Sequence, residues 1–386
     1  MLTGMNAETD TGRPLTLRGR ALLGTSLVPA TVVIEDGRIA HVSRETEAGA
    51  SPGAIETEII APGFVDLQVN GGFGHDVGDD PGAIRGLAAR LPETGVTSFL
   101  PTLITSPASF YAAAFNAFEI ARDATGARVL GLHLEGPFLS PKRPGAHSVH
   151  LMESAQPELL DELIDHDALR LMTLAPERPG ALEWIRRLRE RGVLVSLGHT
   201  DASFEQFEAG VDAGATMATH LFNAMSPFGH RAPNVIGASL VDDRVTVGLI
   251  ADGVHCHPSA IELTLRAKGA ERIALITDMV SAAGMAAGSY RLGGREVHLR
   301  DGVVSLADGT LAGSALVMDQ AVRNVVRWTS ASIPQALRMA SEIPARLLGL
   351  RNTGRIEVGL DANLVLLGGD LRVRGTLVRG LWAFRR

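Results

Sequence analysis

A chain of 386 residues is more than one small hydrophobic core can serve, and it predicts a large domain with a smaller companion. Hydrophobic residues at 45% and charged residues at 20% describe a folded, soluble protein, and charges, glycines and prolines interrupt every apolar run before it reaches membrane-spanning length. A net charge of −7 without a cluster of Lys or Arg argues against nucleic acid or a membrane surface as partner, yet leaves room for a small anion held by one or two local cations.

The single cysteine, Cys256, excludes an internal disulfide and fits a reducing, cytoplasmic setting. No basic start followed by an apolar core is visible at the N-terminus, so no secretory signal is expected. Residues 1–13 are polar and aperiodic and read as a loose tail. From Leu15 the pattern is β-like, and Asp36-Gly37 between two apolar-patterned runs (31–35 and 38–43) predicts a hairpin. Residues 46–56 read as a loop, after which Ile59 to Asp66 opens the main domain.

From there strands and helices alternate, the mark of parallel βα units. Strands are expected near 63–69, 96–101, 129–135, 169–174, 193–198, 216–220, 245–251 and 273–278, with helices near 82–93, 107–124, 156–166, 180–191, 203–213 and 257–268. Eight strands suffice to close a (β/α)8 barrel. A second Asp-Gly hairpin (296–306) and two helices near 315–329 and 334–348 follow, and the chain ends in short strands. The expected architecture is an α/β chain: a catalytic barrel over 61–349 and a small β-sandwich assembled from 14–60 and 350–386.

Several expected strands end in residues that can bind a metal, move a proton or hold a substrate, and in such a barrel the strand C-termini converge on one face. Glu135, His199 and His220 supply a carboxylate and two imidazoles from three different strands, a ligand set found in catalytic zinc sites that keep a position open for water. An ion there would lower the pKa of its bound water toward ~7. Asp278, closing the eighth strand, is expected to act as general base and then general acid, although an Asp at that place can also simply cap a helix. In 252–257, neighbouring residues of an extended segment alternate sides, so His255, Cys256 and His257 cannot readily share one ion. His255 is expected to bind substrate, and Cys256 and His257 to be structural. Arg231 is either an exposed surface arginine, the commoner case, or a phosphate clamp using its guanidinium fork. His133 is expected in the core or behind the ligands, and His75, His150 and His230 carry no assigned role.

At this point Pro62-Gly63-Phe64-Val65-Asp66, His133-Leu134-Glu135-Gly136-Pro137, Gly198-His199-Thr200, Thr219-His220-Leu221-Phe222-Asn223-Ala224-Met225, Ala251-Asp252-Gly253-Val254-His255, Thr277-Asp278 and Leu311-Ala312-Gly313-Ser314 stand together in an order that resembles the N-acetylglucosamine-6-phosphate deacetylase family of the amidohydrolase superfamily. The first motif marks only the superfamily; the second and fourth are far more specific. The resemblance implies hydrolysis of the acetamide of N-acetylglucosamine 6-phosphate to glucosamine 6-phosphate and acetate, in amino-sugar catabolism or cell-wall recycling. It implies one divalent ion on Glu135, His199 and His220, most simply Zn²⁺, with Fe²⁺, Co²⁺ or Ni²⁺ as alternatives. Asp278 would be the acid/base and His147 would help polarise the carbonyl. Ala146, His147, Asn223, Ala224, Arg231, Asp252, His255, Leu311, Ala312 and Gly313 would contact the phosphorylated N-acetyl amino sugar, Arg231 at its phosphate. A homodimer is also implied. One departure stands out: many superfamily relatives carry His-x-His at the end of strand one, where this chain has Gln68-Val69-Asn70, so a second tightly held ion is not expected. Competing expectations are the same chemistry on N-acetylgalactosamine 6-phosphate, another metal-dependent amidohydrolase, and a non-catalytic scaffold.

Overall fold

The structure is a computed structural model that describes residues 14–44 and 53–386; the tail expected at 1–13, and 45–52 from the loop region expected at 46–56, lie outside the described residues. Eight parallel strands, Phe64–Val69, Val96–Ile104, Leu132–Glu135, Leu169–Leu174, Leu194–Leu197, Met217–Ala218, Thr246–Leu249 and Ile273–Leu275, pair in chain order. The circle is completed where the first strand meets the last: Val69 bridges Met279 in parallel, Asp278 N–H donates to the Gln68 carbonyl at 3.0 Å, and Asn70 N–H donates to the Met279 carbonyl at 2.9 Å. Strands one and two are buried along their whole length, because helices cover the outside while side chains fill the inside.

The sixth and eighth strands stop short of the expected 216–220 and 273–278. The residues that follow leave the ladder and turn toward the pore, so the expected strand ends are the functional turns themselves. The helix expected over 82–93 is broken into Ile84–Arg90 flanked by 3-10 turns, Pro81–Ala83 and Leu91–Thr94. Pro92 has no N–H to continue the α-helical ladder. Between strands six and seven the helix Asn234–Val241 was not anticipated; five consecutive buried residues, Val235 to Ser239, leave it no amphipathic period to read.

The terminal segments join in one seven-stranded sheet. Leu15–Leu23, Ser26–Glu35 and Arg38–Arg44 form a meander, with the expected hairpin at Asp36-Gly37, where both residues have positive φ. Ile55–Pro62, read from sequence as part loop and part main domain, is a strand of this sheet, between Leu15–Leu23 and the C-terminal strand Leu364–Leu367. Val373–Val378 and Leu381–Arg385 complete it. The sheet curls on itself, as Ile39 N–H donates to the Leu360 carbonyl and Ala362 N–H to that of Gly37, both at 2.9 Å. It thereby encloses a small core that includes Leu17, Val32, Ile39, Ile60, Leu364 and Leu377. Ile59 and Ala61, on the opposite face from Ile60, belong to the main core of the barrel. A strand apolar on both faces welds the two units together. At the crossing, Gly63 is obligatory for space: a Cβ there would stand 2.2 Å from the Thr97 side chain.

A three-stranded insert (Gly288–Leu292, Arg295–Arg300, Val303–Ser305) follows the barrel and contains the second expected Asp-Gly turn. Helices Met318–Trp328, Ile333–Ala340 and Glu342–Leu347 then return the chain to the terminal sheet.

The seam between strands one and eight is fastened by Asp66, which is fully buried. Its carboxylate accepts from Thr277 Oγ1 at 2.6 Å and from the N–H groups of Gln68 and Thr277, each at 3.3 Å. Burial pushes this carboxyl up to about 7 against the hydrogen bonds that favour its ionised form. Asp66→Ala removes the acceptor of three buried donors, of which Thr277 Oγ1 keeps only a 3.4 Å contact to the Gln68 carbonyl, and is expected to cost about 2–4 kcal/mol of stability. Urea denaturation checks this, and an unchanged midpoint would show that the backbone bonds alone hold the seam.

Candidate active site

His199, His220 and Asp278 each lie one to three residues beyond the last ladder residue of their strands, and each has a left-handed backbone, with φ of 47°, 29° and 50°. Non-glycine residues rarely adopt this conformation, at a cost of roughly 1–3 kcal/mol apiece. The reversal turns the three side chains toward the barrel axis, where Glu135 ends the third strand. All four are buried, at 2% exposure for Glu135 and 7% or less for the others.

Glu135 Oε1 lies 3.0 Å from His220 Nε2 and 3.3 Å from His199 Nε2, and the two imidazole nitrogens are 3.1 Å apart. The three residues form a compact, buried cluster that could hold a metal ion, with one ligand atom from each within 4.8 Å of the others. Donors about 2.0–2.1 Å from one tetrahedral ion stand roughly 3.3 Å apart, so the spacing suits an ion of zinc size. The tautomer also suits it: His199 Nδ1 donates to the Arg143 carbonyl at 3.0 Å, leaving the Nε2 lone pair facing the cluster. Burial alone would raise the Glu135 carboxyl, but the imidazoles of His147, His199 and His220 hold it well below its usual range. Burial, with His147 nearby, depresses His199 to about 4; for His220, burial is outweighed by Glu135 and Asp278, and its pKa rises. The cluster favours positive charge at Glu135, and a divalent cation supplies it more fully than a proton on His220.

His147 reaches the site from the loop after strand three, its Nε2 3.7 Å from Glu135 Oε2. Thr105 N–H donates to His147 Nδ1 at 3.2 Å, so the ring proton belongs on Nε2, which becomes a donor directed into the site. Asp278 is pushed up to about 7, first by burial and then by the charge of Glu135. Below the ligands, His133 is buried between Thr102 and Thr173; Thr173 bonds Thr219, which bonds Ser196, a polar floor across strands two to six. Burial lowers His133 to about 4 and keeps it neutral, consistent with a supporting place behind the ligands.

These groups open into a cavity of ≈ 440 Å³. Of the expected substrate contacts, Ala146, His147, Asn223, Ala224, His255, Leu311 and Gly313 line it. Ala312 is buried behind Leu311 and Gly313, in the core of the insert. Asp252 stands behind His255, accepting from its Nδ1 at 2.7 Å. Burial is overcome there by His255 and two backbone N–H groups, and the Asp252 carboxyl falls below its usual range. Arg231 is exposed on the 226–233 loop and does not line the cavity of its own chain. Lys142 and Arg143 do line it, both paired with Asp201, at 3.4 and 2.8 Å. Cys256 is buried, and His257 caps the helix Pro258–Lys268 by accepting from Ser259 N–H.

Sequence reading missed Lys142 and Arg143 at the cavity and the hydrogen bonds of Gln68 and Asn70 to Glu135 and Asp278. Asp66, Gln68 and Asn70, polar residues at period two on and just after an otherwise apolar strand, were the available signal, since they share one face of it.

The profile of the amidohydrolase family matches residues 59–383. An N-acetylgalactosamine-6-phosphate deacetylase of Escherichia coli O157:H7 is 43% identical over 331 residues, covering 84% of this chain and 88% of that protein. The N-acetylglucosamine-6-phosphate deacetylase of Bacillus subtilis (strain 168) is 40% identical over 367 residues, covering 92% of each. Among solved structures, a mutant N-acetyl-D-glucosamine-6-phosphate deacetylase from Mycobacterium smegmatis in complex with N-acetyl-D-glucosamine-6-phosphate superposes with a TM-score of 0.91 at 34% identity, covering 96% of this chain and 100% of that one.

One divalent ion per chain is expected in the purified protein, and His199→Gln should reduce the metal retained after dialysis by an order of magnitude or more. Elemental analysis of both proteins checks this; two ions per chain would overturn the reading of Gln68 and Asn70 as non-ligands. With its fold, its buried Glu-His-His triad and these relatives, the chain belongs to the amidohydrolase family, in the branch that holds these deacetylases.

Proposed function

We propose that the chain removes acetate from an N-acetylhexosamine 6-phosphate, N-acetylglucosamine 6-phosphate in the first instance, with glucosamine 6-phosphate as the other product. The observation that carries the reading is the juxtaposition of Glu135, His199 and His220 with Asp278 at the floor of one cavity. A divalent ion held by the triad, Zn²⁺ by ligand type, supplies Lewis acidity and a water of lowered pKa. The chain's residues do the rest. Asp278 takes a proton from the attacking water and later gives one to the nitrogen, which leaves poorly as an unprotonated amide anion. His147 Nε2–H donates to the carbonyl oxygen as negative charge develops there, a contribution of a few kcal/mol for such a donor. His255, held by Asp252, binds the sugar phosphate with the Asn223–Ala224 turn.

The phosphate is remote from the reacting carbon and serves to anchor and orient the amide. Lys142 and Arg143 provide cationic charge at the cavity within the chain. Arg231, exposed and outside that cavity, contributes to the phosphate site only across a subunit interface, which gives the homodimer expected from the sequence a direct function. A charged sugar phosphate as substrate supports a cytoplasmic setting.

The 43% identity to the galactosamine-type relative favours one alternative, the epimer at the same chemistry. Acetate release from N-acetylglucosamine 6-phosphate, N-acetylgalactosamine 6-phosphate and unphosphorylated N-acetylglucosamine decides between them. The expected result is rapid release from the first and little from the last. A faster reaction with the galacto epimer would reassign the substrate, and no release from any of the three would move it elsewhere in the family.

The pH profile follows from Asp278. The base form is needed first, and burial with Glu135 raises its pKa to about 7. A cation beside it stabilises the ionised form and draws the value down. Activity should therefore rise with pH along a limb centred at or below about 7, and Asp278→Asn, with its metal retained, should lose turnover. A limb centred above 8, or near-normal turnover of the Asn variant, would remove Asp278 from this role.

A further inference from the structure

Gln68 and Asn70 stand where many superfamily relatives place metal-binding histidines, and the mechanism above gives them no task. Their hydrogen bonds are specific. Gln68 Nε2 donates to Glu135 Oε1 and to Asp278 Oδ1, both at 3.0 Å, and Asn70 Nδ2 donates to the same Asp278 Oδ1 at 2.7 Å. The amide orientation is dictated by its neighbours, because a carbonyl oxygen turned toward two carboxylates would face only acceptors. Both residues are almost fully buried, at 1% and 3% exposure. Their other ends, Gln68 Oε1 and Asn70 Oδ1, are buried without a hydrogen-bond partner among the described residues. An amide serving only as core filling gains nothing from this arrangement, since each orphaned oxygen costs about 1–3 kcal/mol. The stabilised ends are the ones directed at the reacting groups.

Both donors converge on one oxygen of Asp278. Oδ2 takes no hydrogen bond from a described residue, and Asp278 lines the cavity. We propose that Gln68 and Asn70 are positioning residues that pin Asp278 through Oδ1, leaving Oδ2 as the oxygen that moves the proton, with Gln68 holding it in register with Glu135. Oδ2 accepts the proton of water as the oxygen–carbon bond forms. The same oxygen delivers that proton to the nitrogen as the carbon–nitrogen bond breaks, so the carboxylate is regenerated in each turnover. This rests on the deacetylase reading given above.

The test compares wild type with Gln68→Met, which keeps the length of the side chain and removes its donors, and with Asn70→Leu. Each is measured for kcat, KM, metal content and melting temperature. The expected result is a fall in kcat of about 10- to 100-fold with KM within about threefold and one ion per chain retained. If Asn70→Leu does not fold, Asn70→Ser, which removes the reach to Asp278 without adding bulk, takes its place. Unchanged kcat in folded, metal-loaded variants overturns the proposal while leaving the deacetylase reading intact. A fall in kcat that comes only with lost metal or a lowered melting temperature also overturns it, because the residues would then be structural. Wild type without turnover on any amino-sugar phosphate overturns both.

Discussion

A carboxylate taken out of water must be compensated, and at Glu135 the compensation organises the site. At 2% exposure it has little solvent to share its charge, and three imidazoles and one amide N–H2 converge on it instead. Three of those partners have a second anchor that fixes their direction: the Arg143 carbonyl for His199, Thr105 for His147, Asp278 for Gln68; the Nδ1 of His220 has no partner among the described residues. The charge is held in a cluster whose geometry is set from outside. That is the condition under which an ion can bind without rearranging the protein, and such preorganisation is where electrostatic catalysis finds its strength.

The barrel meets this need through its closure. The hydrogen bonds that join strand one to the segment after strand eight include those of Gln68, Asn70 and Asp278, residues whose side chains are themselves hydrogen-bonded to one another. Asp66, two residues before Gln68, fastens the same seam to Thr277, next to Asp278. Loosening the seam would move Asp278 relative to Glu135, His199 and His220, so the stability of the barrel and the alignment of this cluster are one property here. The terminal sheet reinforces it from the other end: Ile55–Pro62 places Ile60 in the small core and Ile59 and Ala61 in the large one, immediately before strand one.

The fold was legible because buried parallel strands read as short apolar runs and helices carry a 3.6-residue period. The triad and Asp278 were legible because metal-ligating and acidic residues recur at the ends of such runs. What escaped sequence reading has physical causes. Ile55–Pro62 alternates over its first four residues, where Glu56 and Glu58 are exposed, and is buried on both faces over its last four, so no single period runs through it. Asn234–Val241 is buried nearly all round and has no amphipathic signature. Arg231 is separated from the cavity by the path of its loop, which no residue pattern records, while Lys142 and Arg143 are indistinguishable in sequence from surface cations. Gln68 and Asn70 read as poor ligands, which was a statement about metals; their hydrogen bonds depend on a partner more than 200 residues away in sequence.

The sites of local cost in this molecule coincide with its chemistry. His199, His220 and Asp278 adopt left-handed backbone, and Gln68 and Asn70 bury unpaired oxygens. Each departs from what a stable barrel of this size would choose, and the expense is borne by the continuous apolar core around them. Left-handed strand ends are a direct way to make parallel strands deliver side chains to a common point, because an extended residue there would point along the sheet face instead. One-sided amides hold the Asp278 carboxylate at Oδ1 and leave its second oxygen without a donor among the described residues. The strain and the orphaned oxygens are therefore explained together, by the demand that buried polar groups from different strands meet in one cluster, Glu135 with His199 and His220, and Asp278 with Gln68 and Asn70.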